Sequence, residues 1–315
     1  MQGQEAPISA MGETETLIST PAADTPQEYG QQEERTGLIL ILGPGWVRSW
    51  AAAGVLMEVA ETQQPIQKIY ASEMSALISV IFAADPRPSA FSWSLQRLRD
   101  ECLEPNFSPL RRLLEKAPLD ASCLREFLSK ELRVRSFEDL KIPVEISEPQ
   151  EGPRNFVSVG PALVWSSHGS IVDAVMRGLT FPGLIQAEGE EEPGKLSCSA
   201  LCAEGADVFP VRRIRASENS RLVVLDLDPS PPTKTPKQEG VARAVLADYD
   251  GRLRALSSAA REEMQDADAV LHINSPKAGS FDPKQKNEFL FLGKEAFRLQ
   301  IEKWQAGSQA QLRGN

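Results

Sequence analysis

Histidine is nearly missing from this chain, at two of 315 residues, and cysteine is scarce at four. The two histidines, His168 and His272, stand too far apart in sequence to read as a metal site or as half of a nucleophile–base pair. Cys102, Cys123, Cys198 and Cys202 make no C-x-x-C pair and no dense framework, which suits a reducing compartment. Long apolar runs are also lacking. The longest, Ala76 to Ala84, is interrupted by Ser79, so no transmembrane helix is expected. The first residues have neither the basic start nor the apolar stretch of a secretory signal; the expected address is cytoplasmic, with peripheral membrane contact as its only extension. Basic charge is in deficit, 34 Lys and Arg against 44 Asp and Glu, and a net charge of −10 argues against nucleic acid as a partner. No cofactor is expected. What is present is enough apolar material for a sizeable core, 41% of residues, in a chain longer than the usual single domain.

Residues 1–36 carry seven acidic side chains against Arg35 alone, and so hold more than half of the net charge. With few aromatics and no periodicity, they read as a disordered acidic tail. At Gly37 the texture changes. Leu38 to Leu42 is a continuous apolar run, the mark of a strand buried on both faces of a parallel sheet. Gly43-Pro44-Gly45 breaks it, a helix follows over 51–60, a second strand over 66–71, and an almost wholly apolar helix over 74–84. Strand–helix–strand–helix order predicts an α/β fold. Helix is expected through 89–140, with Trp93, Leu95, Leu98, Leu110, Leu113, Leu114, Leu124, Phe127 and Leu128 buried. Short strands are expected at 144–146, 156–159, 222–227 and 269–273, with helices at 170–179 and 286–304, the last burying Phe289, Leu292, Ala296 and Leu299. Two polar stretches, 187–195 and 229–238, read as loops, and 306–315 as a flexible tail.

In α/β folds ligands bind beyond the carboxyl ends of strands, where helix N-termini offer free amides. Two strand-to-helix turns therefore matter here, at Gly43 and at Glu73. The order of features resembles the patatin-like phospholipases, in their compact bacterial form, over about residues 37–305. Leu42-Gly43-Pro44-Gly45-Trp46-Val47-Arg48 and Ala53-Gly54-Val55-Leu56 are similar to that family's oxyanion loop, arginine and first helix. Ile69-Tyr70-Ala71-Ser72-Glu73-Met74-Ser75 lies where the family has its strand and G-x-S-x-G nucleophile elbow. Asp173 through Phe181-Pro182-Gly183, then Leu201-Cys202-Ala203-Glu204 through Asp207 and Pro210, resemble the approach to the catalytic aspartate and the loop that carries it. The resemblance implies a three-layer α/β/α sandwich on a mostly parallel sheet and, for the family, a Ser–Asp dyad that hydrolyses lipid esters.

The departures fall on that dyad. Glu73 stands at the nucleophile position and Cys202 at the aspartate position. A neutral thiol is a poor substitute for a carboxylate base, since its pKa lies near 8.5. Pro44 has no N–H to offer an oxyanion, a loss worth about 3–4 kcal/mol in acyl transfer. Replacement of the elbow glycines by Ala71 and Ser75 implies a relaxed turn, and the dipole at the helix start favours an ionised Glu73. The expected function is therefore a catalytically inactive patatin-like protein, regulatory or scaffolding, which binds a protein partner and, as a second ligand class, lipid or fatty acid. One alternative is an active acyl hydrolase with a relocated nucleophile, Ser72 or Ser75, served by Glu204 or Asp207. The other is a fatty-acid sensor with an open apolar pocket behind Glu73. Gly43, Pro44, Gly45 and Arg48 remain as the oxyanion-loop remnant. Arg48 has two readings, a structural one bonded to carbonyls or a carboxylate such as Glu73, and a functional one against an anionic headgroup. Trp46 and Trp50 either pack in the core or plug the entrance.

Overall fold

The computed structural model describes residues 37–110, 117–149, 163–186, 199–202, 207–215, 217, 220–229, 240–275 and 279–314. The acidic tail, the strand expected at 156–159 and both polar loops lie wholly or mainly outside the described residues, as does Glu204.

Six strands form one sheet in the order β4-β3-β2-β1-β5-β6: β1 Leu38–Leu42, β2 Ile66–Ser72, β3 Val144–Pro149, β4 Leu163–Ser166, β5 Arg221–Asp226 and β6 Ala269–His272. Five run parallel, and β4 is antiparallel on the β3 edge. The apolar run that marked β1 is explained by its place: Leu38, Leu40 and Leu42 face one core, Ile39 and Ile41 the other, and all five are buried. Helices cover both faces. On the first lie α1 Trp50–Glu61, α2 Glu73–Ala84, α3 Pro88–Gln96, α4 Ala121–Glu131, α5 Ile171–Gly178 and α8 Lys286–Gly314; on the second lie α6 Val211–Arg215 and the end of α7 Gly240–Met264. Among the described residues this is a three-layer α/β/α arrangement with a mostly parallel sheet.

Helices α1 and α8 touch backbone to backbone. A Cβ on Gly54 would stand 2.0 Å from the Leu290 carbonyl oxygen, and one on Gly293 equally close to that of Ala51. No side chain fits between them, and this crossing fixes how α8 runs beneath the sheet. Because β1 has β2 on one side and β5 on the other, the order of strands across the sheet reverses there, and the turns after β1, β2 and β5 lie at the same end of the sheet.

Several expectations need correcting. Trp93 is 62% exposed and Leu110 67%, not core; Trp93 carries the Arg97 guanidinium on its face at 5.9 Å. On α8 the buried line is Phe289, Phe297 and Ile301, with Leu299 turned outward. Residues 306–314, expected as a flexible tail, continue α8, as their Ala, Gln and Leu content permits. Helix α7 had no counterpart in the sequence reading. The cysteines are also corrected: Cys102 is bonded to Cys123, with Cα atoms 5.6 Å apart, and Cys202 is disulfide-bonded as well. No free cysteine occurs among the described residues, so the inference of a reducing compartment loses its basis. No described helix is long and apolar enough to cross a membrane.

Candidate functional site

The first turn begins where β1 ends. Gly43 N–H donates to the Leu225 carbonyl at 3.1 Å, and a Cβ on Gly43 would lie 2.9 Å from that same oxygen and from the Phe209 ring. Only glycine lets β1 leave the sheet so close to β5. Residues Trp46–Ser49 then form a 3-10 turn, entered with Trp46 at φ +46° and anchored by its indole N–H on the Leu103 carbonyl at 2.9 Å. Trp46 and Trp50 are both buried, which decides for core packing.

The second turn keeps the geometry of an elbow. Strand β2 ends at Ser72, and Glu73 begins α2 with φ +51°, a left-handed conformation that costs a non-glycine residue about 1–2 kcal/mol. The expected relaxation does not occur. Small residues suffice on either side: Ala71 is fully buried, and the Ser75 hydroxyl donates to the Gly43 carbonyl at 2.6 Å, tying one turn to the other.

The Glu73 side chain points inward and is buried. Its Oε1 accepts from the Ser199 hydroxyl and its Oε2 from the Tyr249 hydroxyl, each at 2.6 Å, and the Gly45 backbone amide supplies a third hydrogen bond. Burial nonetheless pushes the carboxyl up from an ordinary 4.5 to about 7, against the pull of those three donors. Desolvation thus works against the helix dipole, which favours the ionised form. Tyr249 is driven well above its ordinary range, first by burial and then by Glu73. Its ring stands edge-on to Phe181 at 5.2 Å and to Phe281 at 4.8 Å, and Phe281 reaches Trp46 at 5.7 Å. These aromatics pack about the Tyr249 ring whose hydroxyl meets the elbow.

Arg48, 2% exposed, lies beside this cluster. Its Nε donates to the Ser280 hydroxyl at 3.2 Å, Ser280 donates to Asp250 at 2.5 Å, and the guanidinium sits 5.3 Å over the Phe289 ring. Burial lowers its pKa, opposed by Asp250, Tyr249 and Asp228. The contacts of Arg48 are thus with Ser280 and, through it, Asp250, rather than with Glu73.

The other candidates are dispersed. Ser72 accepts from the Ser147 hydroxyl at 2.7 Å inside the sheet. Asp207 lies beside Arg213 at 3.4 Å, and its carbonyl accepts from the Trp165 indole; no hydrogen bond joins it to Ser72 or Ser75 among the described residues. Cys202 closes the short 3-10 turn Ala200–Cys202 and, being oxidised, carries no titrating thiol. The residue of that loop which meets the elbow is Ser199, three positions earlier.

A second cluster escaped the sequence reading. At the ends of β5 and β6, His272 Nδ1 lies 2.9 Å from Asp226 Oδ2, and the Ser257 hydroxyl of α7 donates to both Asp226 oxygens at 2.7 and 2.8 Å. The aspartate stands between the other two, so this is no Ser–His–Asp relay; it fastens α7 to the sheet. The sequence signal for α7 lay in the spacing of Ala242, Leu246, Tyr249, Leu253 and Ser257, the face it buries.

No protein-family model and no curated protein matches the chain. Among solved structures, the type III effector protein ExoU aligns with 13% identity and a TM-score of 0.42 over 85% of this chain and 53% of that one. VipD from Legionella pneumophila aligns with 11% identity and a TM-score of 0.43, over 86% and 67%. Full-length ExoU in complex with full-length SpcU, from the type III secretion system of Pseudomonas aeruginosa, gives 13% and 0.43, over 85% and 52%. This chain spans about half the length of the ExoU chains it aligns with. Likenesses at this level assign no residue a role.

Proposed function

We propose that the chain is a catalytically inactive patatin-like protein that regulates or scaffolds by binding a protein partner, with lipid as a second ligand class. One observation carries the reading. The Glu73 carboxyl occupies the elbow and takes up three hydrogen-bond donors, Ser199, Tyr249 and the Gly45 amide. Such donors would otherwise face the developing oxyanion of an acyl transfer. A carboxyl side chain in that place acts as a permanent internal ligand. Attack by the carboxylate itself on an ester would give an anhydride, less stable than the ester it came from. The fatty-acid sensor has less support, because the Glu73 carboxyl is buried and bonded to Tyr249, whose ring packs on Phe181 and Phe281.

A second reading, an active acyl hydrolase, is favoured by the Glu73–Ser199 contact. It is a hydroxyl–carboxylate pair with its two positions exchanged, and an acid near 7 is suited to act as a base at neutral pH. Both readings are tested with short p-nitrophenyl esters and phospholipid vesicles. The inactive reading expects hydrolysis no faster than buffer. Turnover that vanishes in Ser199→Ala would establish the exchanged dyad instead. Turnover lost only in Ser72→Ala would establish the relocated one. For the binding role, a partner retained by the full chain in a pull-down should be retained equally by Glu73→Gln, since the elbow is internal.

A further inference from the structure

At the opposite end of the sheet, Arg221 opens β5 with its guanidinium 5.0 Å over the Trp304 ring of α8. Several surface arginines face acids, among them Arg97 with Glu131, Arg177 with Glu148 at 2.6 Å, and Arg212 with Asp266 at 2.9 Å, while others, such as Arg133 and Arg243, stand exposed on the surface. Arg221 pairs with none among the described residues, in a chain that carries ten negative charges in excess. It lines an open cavity of about 250 Å³ together with Gln64 and, from α8, Ile301, Trp304, Gln305 and Gln309. Among the described residues no aspartate or glutamate lines that cavity.

We infer that this cavity is a binding site for a small monocarboxylate, with Arg221 as its anchor. A guanidinium held over an aromatic ring spends none of its N–H groups on an acceptor oxygen there, and its fork of donors matches the two oxygens of a carboxylate. One cation balances one negative charge, so a carboxylate is fully compensated here where a phosphate dianion would not be. Ile301 and the Trp304 ring give the body of the ligand an apolar wall, while the amides of Gln64, Gln305 and Gln309 give hydrogen bonds to an amide or hydroxyl along it. The volume lies just below the roughly 300 Å³ at which pockets for drug-sized ligands begin, so the ligand is small. Its carboxylate comes either from a free acid or from the carboxyl terminus of a peptide.

The test is calorimetric titration of the full chain with N-benzoylglycine, its carboxamide, the peptide acetyl-Ala-Ala-Phe with a free or an amidated terminus, and inorganic phosphate. At least one free acid should bind, with its amide at least about tenfold weaker, the usual consequence of losing a charge-assisted hydrogen bond. Arg221→Gln should weaken the acid by a similar factor and leave the amide unchanged; Arg221→Lys, which keeps the charge without the fork, should fall between. Tighter binding of the peptide acid assigns the source to chain termini, and tighter binding of N-benzoylglycine assigns it to free acids. Equal binding of acid and amide, binding of neither acid, or phosphate binding tighter than both overturns the inference. The acid-against-amide comparison needs only the unaltered protein.

Discussion

Two arginines meet aromatic rings on the same helix, and their surroundings are opposite. Arg48 lies over Phe289 near the start of α8, deep beneath the elbow, with Ser280 and Asp250 arranged around it. Arg221 lies over Trp304, about 22 Å further along the helix, half-buried and facing no acid among the described residues. The ring contact is the same in kind at both places. Burial decides what it means. A guanidinium taken out of water must be answered by the protein itself, and Arg48 is met by Ser280 and Asp250. A guanidinium at the rim can leave its hydrogen bonds to something that arrives from outside.

That contrast breaks first at Arg48. Arg48→Met leaves the half-buried Asp250 and the buried Ser280 without their cation and should destabilise by about 3 kcal/mol, read as a shift in the urea midpoint. Next comes the crossing that holds α8 against both ends. Gly54→Ala forces a methyl group into the Leu290 carbonyl and should cost about 3 kcal/mol, with the fluorescence of Trp46 and of Trp304 both disturbed. Glu73→Gln tests how the interior pays for its acid. In the native chain the Glu73 pKa is about 7, above its ordinary 4.5, so between those values the folded form holds a proton that the unfolded form gives up. Stability should therefore fall as pH rises through that window, by about 3 kcal/mol in all, and level off above it. The amide should remove the slope and make the protein about 2–3 kcal/mol more stable at pH 8, measured by denaturation across pH. The smallest effect is expected at the rim, where Arg221→Met should change stability by no more than about 0.5 kcal/mol. A large loss there would mean that both arginines serve the interior.

Much of the scaffold was legible because local pattern and final environment agree. Leu38 to Leu42 is apolar at every position and is buried at every position. The two turns were legible for a related reason, since a glycine or a change of period marks the end of each strand. The site itself was only half legible. Glu73 could be placed from its position between β2 and α2, but its partners come from residues 126 and 176 positions away. No spacing rule reaches that far. Tyr249 was hidden because α7 was, its apolar stripe diluted by Asp248, Asp250, Gly251 and Arg252. Trp93 misled in the other direction: its ring suggested core, yet stacking under Arg97 lets it remain at the surface. Cysteine spacing could not reveal a bond between Cys102 and Cys123, because their approach depends on where α4 is set.

That bond has a consequence for how the chain responds to proteases. It closes a loop with a sequence separation of 21, so a single cut inside the loop severs the backbone without parting the two pieces. A nicked molecule should migrate as one band on a denaturing gel until a reductant is added, and then as two.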